Sequence, residues 1–250
     1  MKGSFEELVK IMEKLRKECP WDREQTHETL KKFLIEEAYE VLDAIDSKDD
    51  QKLKEELGDL LLQPVFHAQI AKERSAFDIY DVIANLIEKL VERHPHVFGD
   101  ADPQDVLKNW EKKKTKKRES ILEGIPKHLP ALMRSQKLQD RASQVGFDFT
   151  DISQVFEKIE EEINELKESL QEQDRENIEH EIGDILTAVV ELARFVGVDA
   201  EQALQSANER FIRRFRYIED RAKEMGKRLE DMSLEEMDKL WEEGKRKLET

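Results

Sequence analysis

The sequence predicts an all-α protein made of two similar helical bundles in tandem, and three observations carry that prediction. Charged residues fill 40% of the 250 positions while nine glycines and six prolines are sparse, the composition of long helices with polar outer faces. Apolar residues recur at three- and four-residue spacing, and no segment alternates with period two over a useful length. A pattern of five acids is written twice, each member of the second copy 125 residues after its counterpart in the first. A repeat of that length favours two domains of about 100–150 residues over one large one. The predicted boundaries are an N-terminal unit at 1–118, a linker at 119–130 and a C-terminal unit at 131–250.

In the first unit, Ser4 and Glu7 read as a capping box ahead of a helix marked by Phe5, Leu8, Ile11, Met12 and Leu15. That helix stops at Cys19, which Pro20 pushes out of the α region. Leu30, Phe33, Leu34, Val41, Leu42 and Ile45 mark a second helix ending near Ser47-Lys48-Asp49, and Leu53, Leu57, Leu60, Leu61 and Val65 a third. The short connection makes the second and third helices antiparallel neighbours. Gly58 costs its helix about 1 kcal/mol relative to alanine, so a close approach by backbone or ligand is expected there. Pro64 is expected to kink the helix. A fourth helix runs from about Asp78 to Arg93, RHPHVFGD reads as a loop, and Asp102-Pro103 opens a helix through Trp110 to Arg118.

ESILEGIPKHLP, with Gly124, Pro126 and Pro130, is the linker. The pattern then restarts with a helix around 131–145 that ends before Gly146-Phe147-Asp148. Helices marked by Val155, Phe156, Ile159, Ile163, Leu166 and Leu170, and by Ile178, Ile182, Ile185, Leu186 and Val189, follow. Asp199 caps a long basic helix, and Ser233 with Glu236 boxes the start of the last one.

The net charge of −16 and a pI near 5.0 exclude a general nucleic-acid binder, which needs a basic footprint. One cysteine, Cys19, excludes an internal disulfide framework and fits a reducing, cytoplasmic location. MKGSFEELVK lacks the apolar run of a signal peptide, and no stretch reads as a membrane span.

The acids are Glu36, Glu37, Glu40, Glu56 and Asp59, then Glu161, Glu162, Glu165, Glu181 and Asp184. Glu37 interrupts an apolar stripe, three residues after Leu34 and four before Val41, and so points inward, where an unpaired charge is costly. Four or five carboxylates gathered across one helical seam repel one another unless a cation intervenes. An all-oxygen ligand set selects hard cations, Mg²⁺ or Mn²⁺, and Mg²⁺ completes its shell with substrate phosphates. The competing reading of any single glutamate is a solvated helix face; the duplication in register argues against that reading for the set. A di-iron bundle would need E-x-x-H beside the acids, and His180 has Asn177 three residues before it.

Lys89 and Arg93 stand one turn apart, as do Arg210 and Arg214, and Trp110/Lys114 recurs as Trp241/Lys245. A triphosphate needs such donors on its outer oxygens. The run from Lys112 to Arg118 reads as a solvated helix end, a phosphate lure, or both, and Trp21 is expected in the core. There is no Walker A sequence or glycine-rich phosphate loop, so phosphate would be held by metal and side chains.

CPWDREQTHETL (19–30), EExxE followed by ExxD in both halves, RHPHVFGD (93–100) and WExxK together resemble the MazG family of nucleoside triphosphate pyrophosphohydrolases over nearly the whole chain. The resemblance implies an all-α homodimer that hydrolyses NTPs and dNTPs to the monophosphate and pyrophosphate with Mg²⁺. It implies that the ten acids are metal ligands and that Arg210, Arg214, Trp241 and Lys245 contact nucleotide. The family often carries lysine where this chain has Arg210, which keeps the charge and changes the donor geometry. Glu37 and Glu162, the acids facing the apolar seam, are the candidates to orient or deprotonate the attacking water. The alternatives are a narrower dUTP/dCTP- or phosphoribosyl-ATP-directed pyrophosphohydrolase and a non-catalytic nucleotide-sensing scaffold. The C-terminal unit, whose basic pair sits on a long helix, is expected to contribute most of the activity.

Overall fold

The computed structural model describes residues 3–99 and 120–248, and among these every regular element is helical. The chain divides into two compact units, Met1–Lys114 and Thr115–Thr250. Trp110, Lys114, Asp102-Pro103 and the run from Lys112 to Arg118 lie outside the described residues.

In the first unit, α1 (Phe5–Glu18) starts where the Ser4 hydroxyl accepts from the Glu7 N–H at 3.1 Å. Cys19 is extended, and Pro20 occupies the first position of a short α2 (Pro20–Glu24), where its missing N–H costs nothing. Thr26 and Thr29 form a reciprocal cap that opens α3 (His27–Ser47). Lys48 then takes a left-handed conformation (φ 56°), Asp49 caps the N–H groups of Gln51 and Lys52, and α4 (Asp50–Glu73) runs back along α3. Asp78 and Asp81 cap α5 (Ile79–Arg93). Met12, Leu30, Val65, Phe66, Ala68 and Ile79 form the core that joins α1, α3, α4 and α5.

Arg16 locks this arrangement. Its guanidinium donates to the carbonyls of Asp22, Arg23 (3.1 Å) and Gln25 (3.0 Å), and it pairs with Glu73 at 2.5 Å. The turn around α2 is thereby tied to the end of α4, and Glu73 is held below the usual carboxylate range by that guanidinium.

Several sequence expectations are corrected. RHPHVFGD contains a short helix, α6 (Pro95–Phe98), with its proline at the first position. α4 continues through Pro64, and Gln63, Val65 and Phe66 around the proline are buried. Trp21 is 53% exposed and meets the Phe33 ring edge-on, so it is a surface residue. A methyl group on Gly58 would meet nothing within 4 Å. Close approaches occur at Gly244, where an added Cβ would lie 3.0 Å from the Tyr217 ring, and at Gly99, where it would lie 3.0 Å from the Pro95 carbonyl oxygen.

The second unit repeats the hairpin. After α7 (Ala131–Ser143), Asp151 caps α8 (Ile152–Glu172), Gln173 is left-handed (φ 56°), and Asp174 caps α9 (Arg175–Phe195). Lys48 and Gln173, both non-glycine, thus close equivalent turns 125 residues apart. Gln136 of α7 accepts from the Ala200 N–H at 2.9 Å and donates to the Val198 carbonyl at 3.0 Å, fixing the start of α10 (Ala200–Glu224). Arg194 joins Asp148 to Glu191. Ile218, Ala222, Met232 and Leu240 bury α10 against α11 (Leu234–Leu248), whose start is boxed by Ser233 and Glu236.

His27 and His67 meet across the first hairpin with 2.8 Å between their Nδ1 atoms, and burial, then His27, holds His67 below the ordinary histidine value. One ring must donate and the other accept, so only a pair with a free lone pair makes this bond. A depressed folded-state pKa gives stability that is complete above the unfolded value of 6.5 and is lost as pH falls below it. Thermal melts at about pH 7.5 and about pH 5.5 should therefore show a larger drop in the native protein than in His67→Gln. Equal drops would refute the bond's contribution.

Candidate metal and nucleotide site

The two hairpins place the acids. In the first unit, carboxylate oxygens of Glu37 on α3 and of Glu56 and Asp59 on α4 lie within 4.8 Å of one another. Glu40 acts on this group from one turn along α3. Burial first, then Asp59 and Glu40, hold the Glu37 carboxyl above the usual range; burial and then Glu40 do the same to Glu56. Glu36 is exposed and stays outside the trio.

In the second unit the trio is Glu162 and Glu165 on α8 with Glu181 on α9. Burial and then Glu162 and Glu181 raise Glu165. Asp184 turns to His180 at 3.1 Å, and Glu161 meets Lys158 at 2.9 Å. Glu37/Glu162 and Glu56/Glu181 are common to both trios, Asp59 completes the first and Glu165 the second, and Glu36, Glu40, Glu161 and Asp184 belong to neither. Sequence reasoning missed Lys158, whose Nζ lies 2.7 Å from Glu162. The signal was its position one turn before Glu162 on the same helix.

These residues fit a hard divalent cation. The donors are all carboxylates, they are close enough to share one ion, and Glu181 Oε2 is buried with no hydrogen-bond partner. An orphaned anionic oxygen in that position is costly unless a cation meets it.

The basic groups divide. Lys89 and Arg93 stand eleven and fifteen residues after their helix cap, Asp78, and Arg210 and Arg214 stand eleven and fifteen after theirs, Asp199. The pairs are equivalent although they are 121 residues apart and not 125, because α4 has 24 residues against 21 in α9 and the following connection is one residue longer. Lys89, Arg93 and Arg210 are exposed. Arg214 is half-buried, its guanidinium 5.3 Å from the Trp241 ring centre, and Phe211 packs on the same ring at 5.1 Å. Phe211 is a neighbour that the sequence reading did not single out. Lys245 lies 4.0 Å from Glu242 and makes no described contact with Trp241.

A raised folded-state pKa for Glu37 means that its stabilising, protonated form is present below the unfolded value and is lost as pH rises through the folded one. Ionised Glu37 thus opposes folding at neutral pH when no cation is present. Glu37→Gln should melt higher than the native protein in chelator, and the difference should shrink or reverse with added Mg²⁺. A variant that melts lower in chelator would contradict this account.

A sequence profile of the MazG nucleotide pyrophosphohydrolase domain matches residues 25–98 and 147–218. The chain is 52% identical over 247 residues to the nucleoside triphosphate pyrophosphohydrolase/pyrophosphatase MazG of Thermotoga maritima, covering 96% of this chain and 95% of that one. It is 45% identical to the nucleoside triphosphate pyrophosphohydrolase of Escherichia coli K12 over 98% of both chains. It also matches 48% of the uncharacterized protein YabN of Bacillus subtilis, at 49% identity over 91% of this chain. Each profile match encloses one complete acid-bearing hairpin, and two of these relatives align nearly from end to end, so the chain belongs to the MazG nucleotide pyrophosphohydrolase family.

Proposed function

We propose that this protein hydrolyses NTPs and dNTPs to the monophosphate and pyrophosphate at a Mg²⁺-dependent site, for which Mn²⁺ substitutes. The observation that carries the reading is the carboxylate trio repeated on equivalent hairpins, with the orphaned oxygen of Glu181 among its donors. The holding residues are Glu37, Glu40, Glu56 and Asp59 in one unit and Glu162, Glu165, Glu181 and Asp184 in the other, with Glu36 and Glu161 at their edges. When bound, the cation supplies positive charge against the phosphate oxygens as pyrophosphate leaves.

The remaining work falls to side chains. Glu37 or Glu162 orients a water toward phosphorus and accepts its proton while the anhydride bond to pyrophosphate opens. Glu37 suits this role because burial and its neighbours already raise its affinity for a proton. Lys89 and Arg93 in one unit, and Arg210, Arg214 and Lys245 in the other, donate to the outer phosphates. Trp241, backed by Phe211 and Arg214, offers an aromatic face to the nucleoside.

A second copy of the chain completes the assembly. Leu34, Leu42, Ile45, Leu57 and Leu61 on the first hairpin are 40–51% exposed, and Ile182, Leu186 and Val189 on the second are 47–52% exposed. Apolar seams of this extent, repeated on both hairpins, fit a self-complementary homodimer. Among the described residues no helix is long and apolar enough to cross a membrane, and we place the protein in the cytoplasm.

Incubation with Mg²⁺ and a panel of NTPs should release NMP and pyrophosphate, with activity lost in excess chelator. NDP and orthophosphate as products would reject the assignment. Glu162→Gln should cost the larger share of the rate, the affected site slowing roughly 100- to 1000-fold; loss on Glu37→Gln alone would move the activity to the N-terminal unit. Sedimentation at micromolar concentration should give a species of twice 29.5 kDa, and a persistent monomer would exclude the dimer.

A further inference from the structure

The two acid clusters are unequal in charge. In the second unit Lys158 sits inside the cluster, its Nζ 2.7 Å from Glu162 and 2.9 Å from Glu161. The Glu162 side chain is 6% exposed and that of Lys158 39%, so a partly exposed lysine brings its ammonium to a buried carboxylate. The step of 125 residues that relates the acids takes position 158 to position 33, which is phenylalanine. The Phe33 ring packs edge-on against Trp21 with 6.0 Å between centroids and contributes no charge. The same step takes His180, the partner of Asp184, to Glu55, which adds a further negative charge beside Glu56. Lys52, in turn, acts on Glu56 through space, and its counterpart is Asn177. It forms no described ion pair with the cluster, whereas Lys158 is in direct contact.

We propose that Lys158 is a resident counter-cation of the C-terminal cluster, so that this centre binds divalent cations more weakly than the N-terminal one. The inference rests on the metal reading proposed above. An incoming ion must separate Lys158 from Glu162 or share the carboxylate with it. The ammonium is a compact charge on a flexible stem and can withdraw, but its tether keeps it nearby. One positive charge about 6 Å from a divalent ion, with screening within about a factor of two of that of water, lowers affinity about ten- to a hundredfold. The two units therefore fill at different cation concentrations: the N-terminal cluster first, the C-terminal cluster as the free cation level rises.

The test is titration of the full chain with Mn²⁺, with the free ion followed by its electron paramagnetic resonance signal and helicity checked by circular dichroism. The native protein should show two classes of site. Lys158→Met should tighten the weaker class about ten- to a hundredfold and leave the tighter one in place, while Lys158→Arg, which keeps the charge, should leave it weak. Phe33→Lys should weaken the tighter class, a reciprocal arm that does not depend on Lys158→Met folding. A single class in the native protein, or a Lys158→Met titration that superimposes on it, overturns the proposal while leaving the metal reading intact. Mn²⁺ binding that survives Glu56→Gln combined with Glu181→Gln overturns the metal reading itself.

Discussion

Mutual repulsion among carboxylates crowded onto one helical hairpin is the constraint on which the rest of this structure turns. Glu37, Glu56 and Asp59, and again Glu162, Glu165 and Glu181, are held within reach of a single ion. Helices bearing such charges would separate if nothing else held them. In the first unit they are held by the Met12–Phe66 core, which begins within a turn of Asp59 along α4, and by the Arg16 clasp on Glu73 at the end of that helix. Packing and the clasp beyond the acids sustain the electrostatic strain between them.

The turn of each hairpin sets how the acids meet. Lys48 and Gln173 adopt the left-handed conformation that glycine reaches most easily, and an aspartate follows each to cap the returning helix. A glycine would relieve the backbone cost and would also loosen the unfolded chain. The retained side chains and paired caps bring α4 and α9 back in a matching register. That register is why the second acid group of each unit stands opposite the first.

Family membership and geometry account for different parts of the reading. Membership assigns the class of chemistry; the geometry distinguishes the two units. The trios share the pairs Glu37/Glu162 and Glu56/Glu181 and differ in the third acid, Asp59 against Glu165. Position 158 holds a lysine in contact with Glu162 where the equivalent position 33 holds a phenylalanine. Downstream, the basic pairs coincide only when counted from their helix caps, since α4 is three residues longer than α9. A tandem repeat of this kind conserves the hairpin and lets its surroundings diverge.

Periodicity and caps written in the sequence determined the all-α class, the helix starts at Ser4, Asp78, Asp199 and Ser233, and the antiparallel hairpins. These are local effects, set by residues within a turn of each other. The acid quintets were legible for the same reason, because spacing along one helix decides which side chains share its face. Other features depended on contacts between distant segments. Tertiary packing left Trp21 at the surface, brought Tyr217 against Gly244, and joined His27 to His67. It also decided which acids converge, leaving Glu36, Glu40, Glu161 and Asp184 outside both trios, because the approach of two helices selects among residues that each helix alone presents equally.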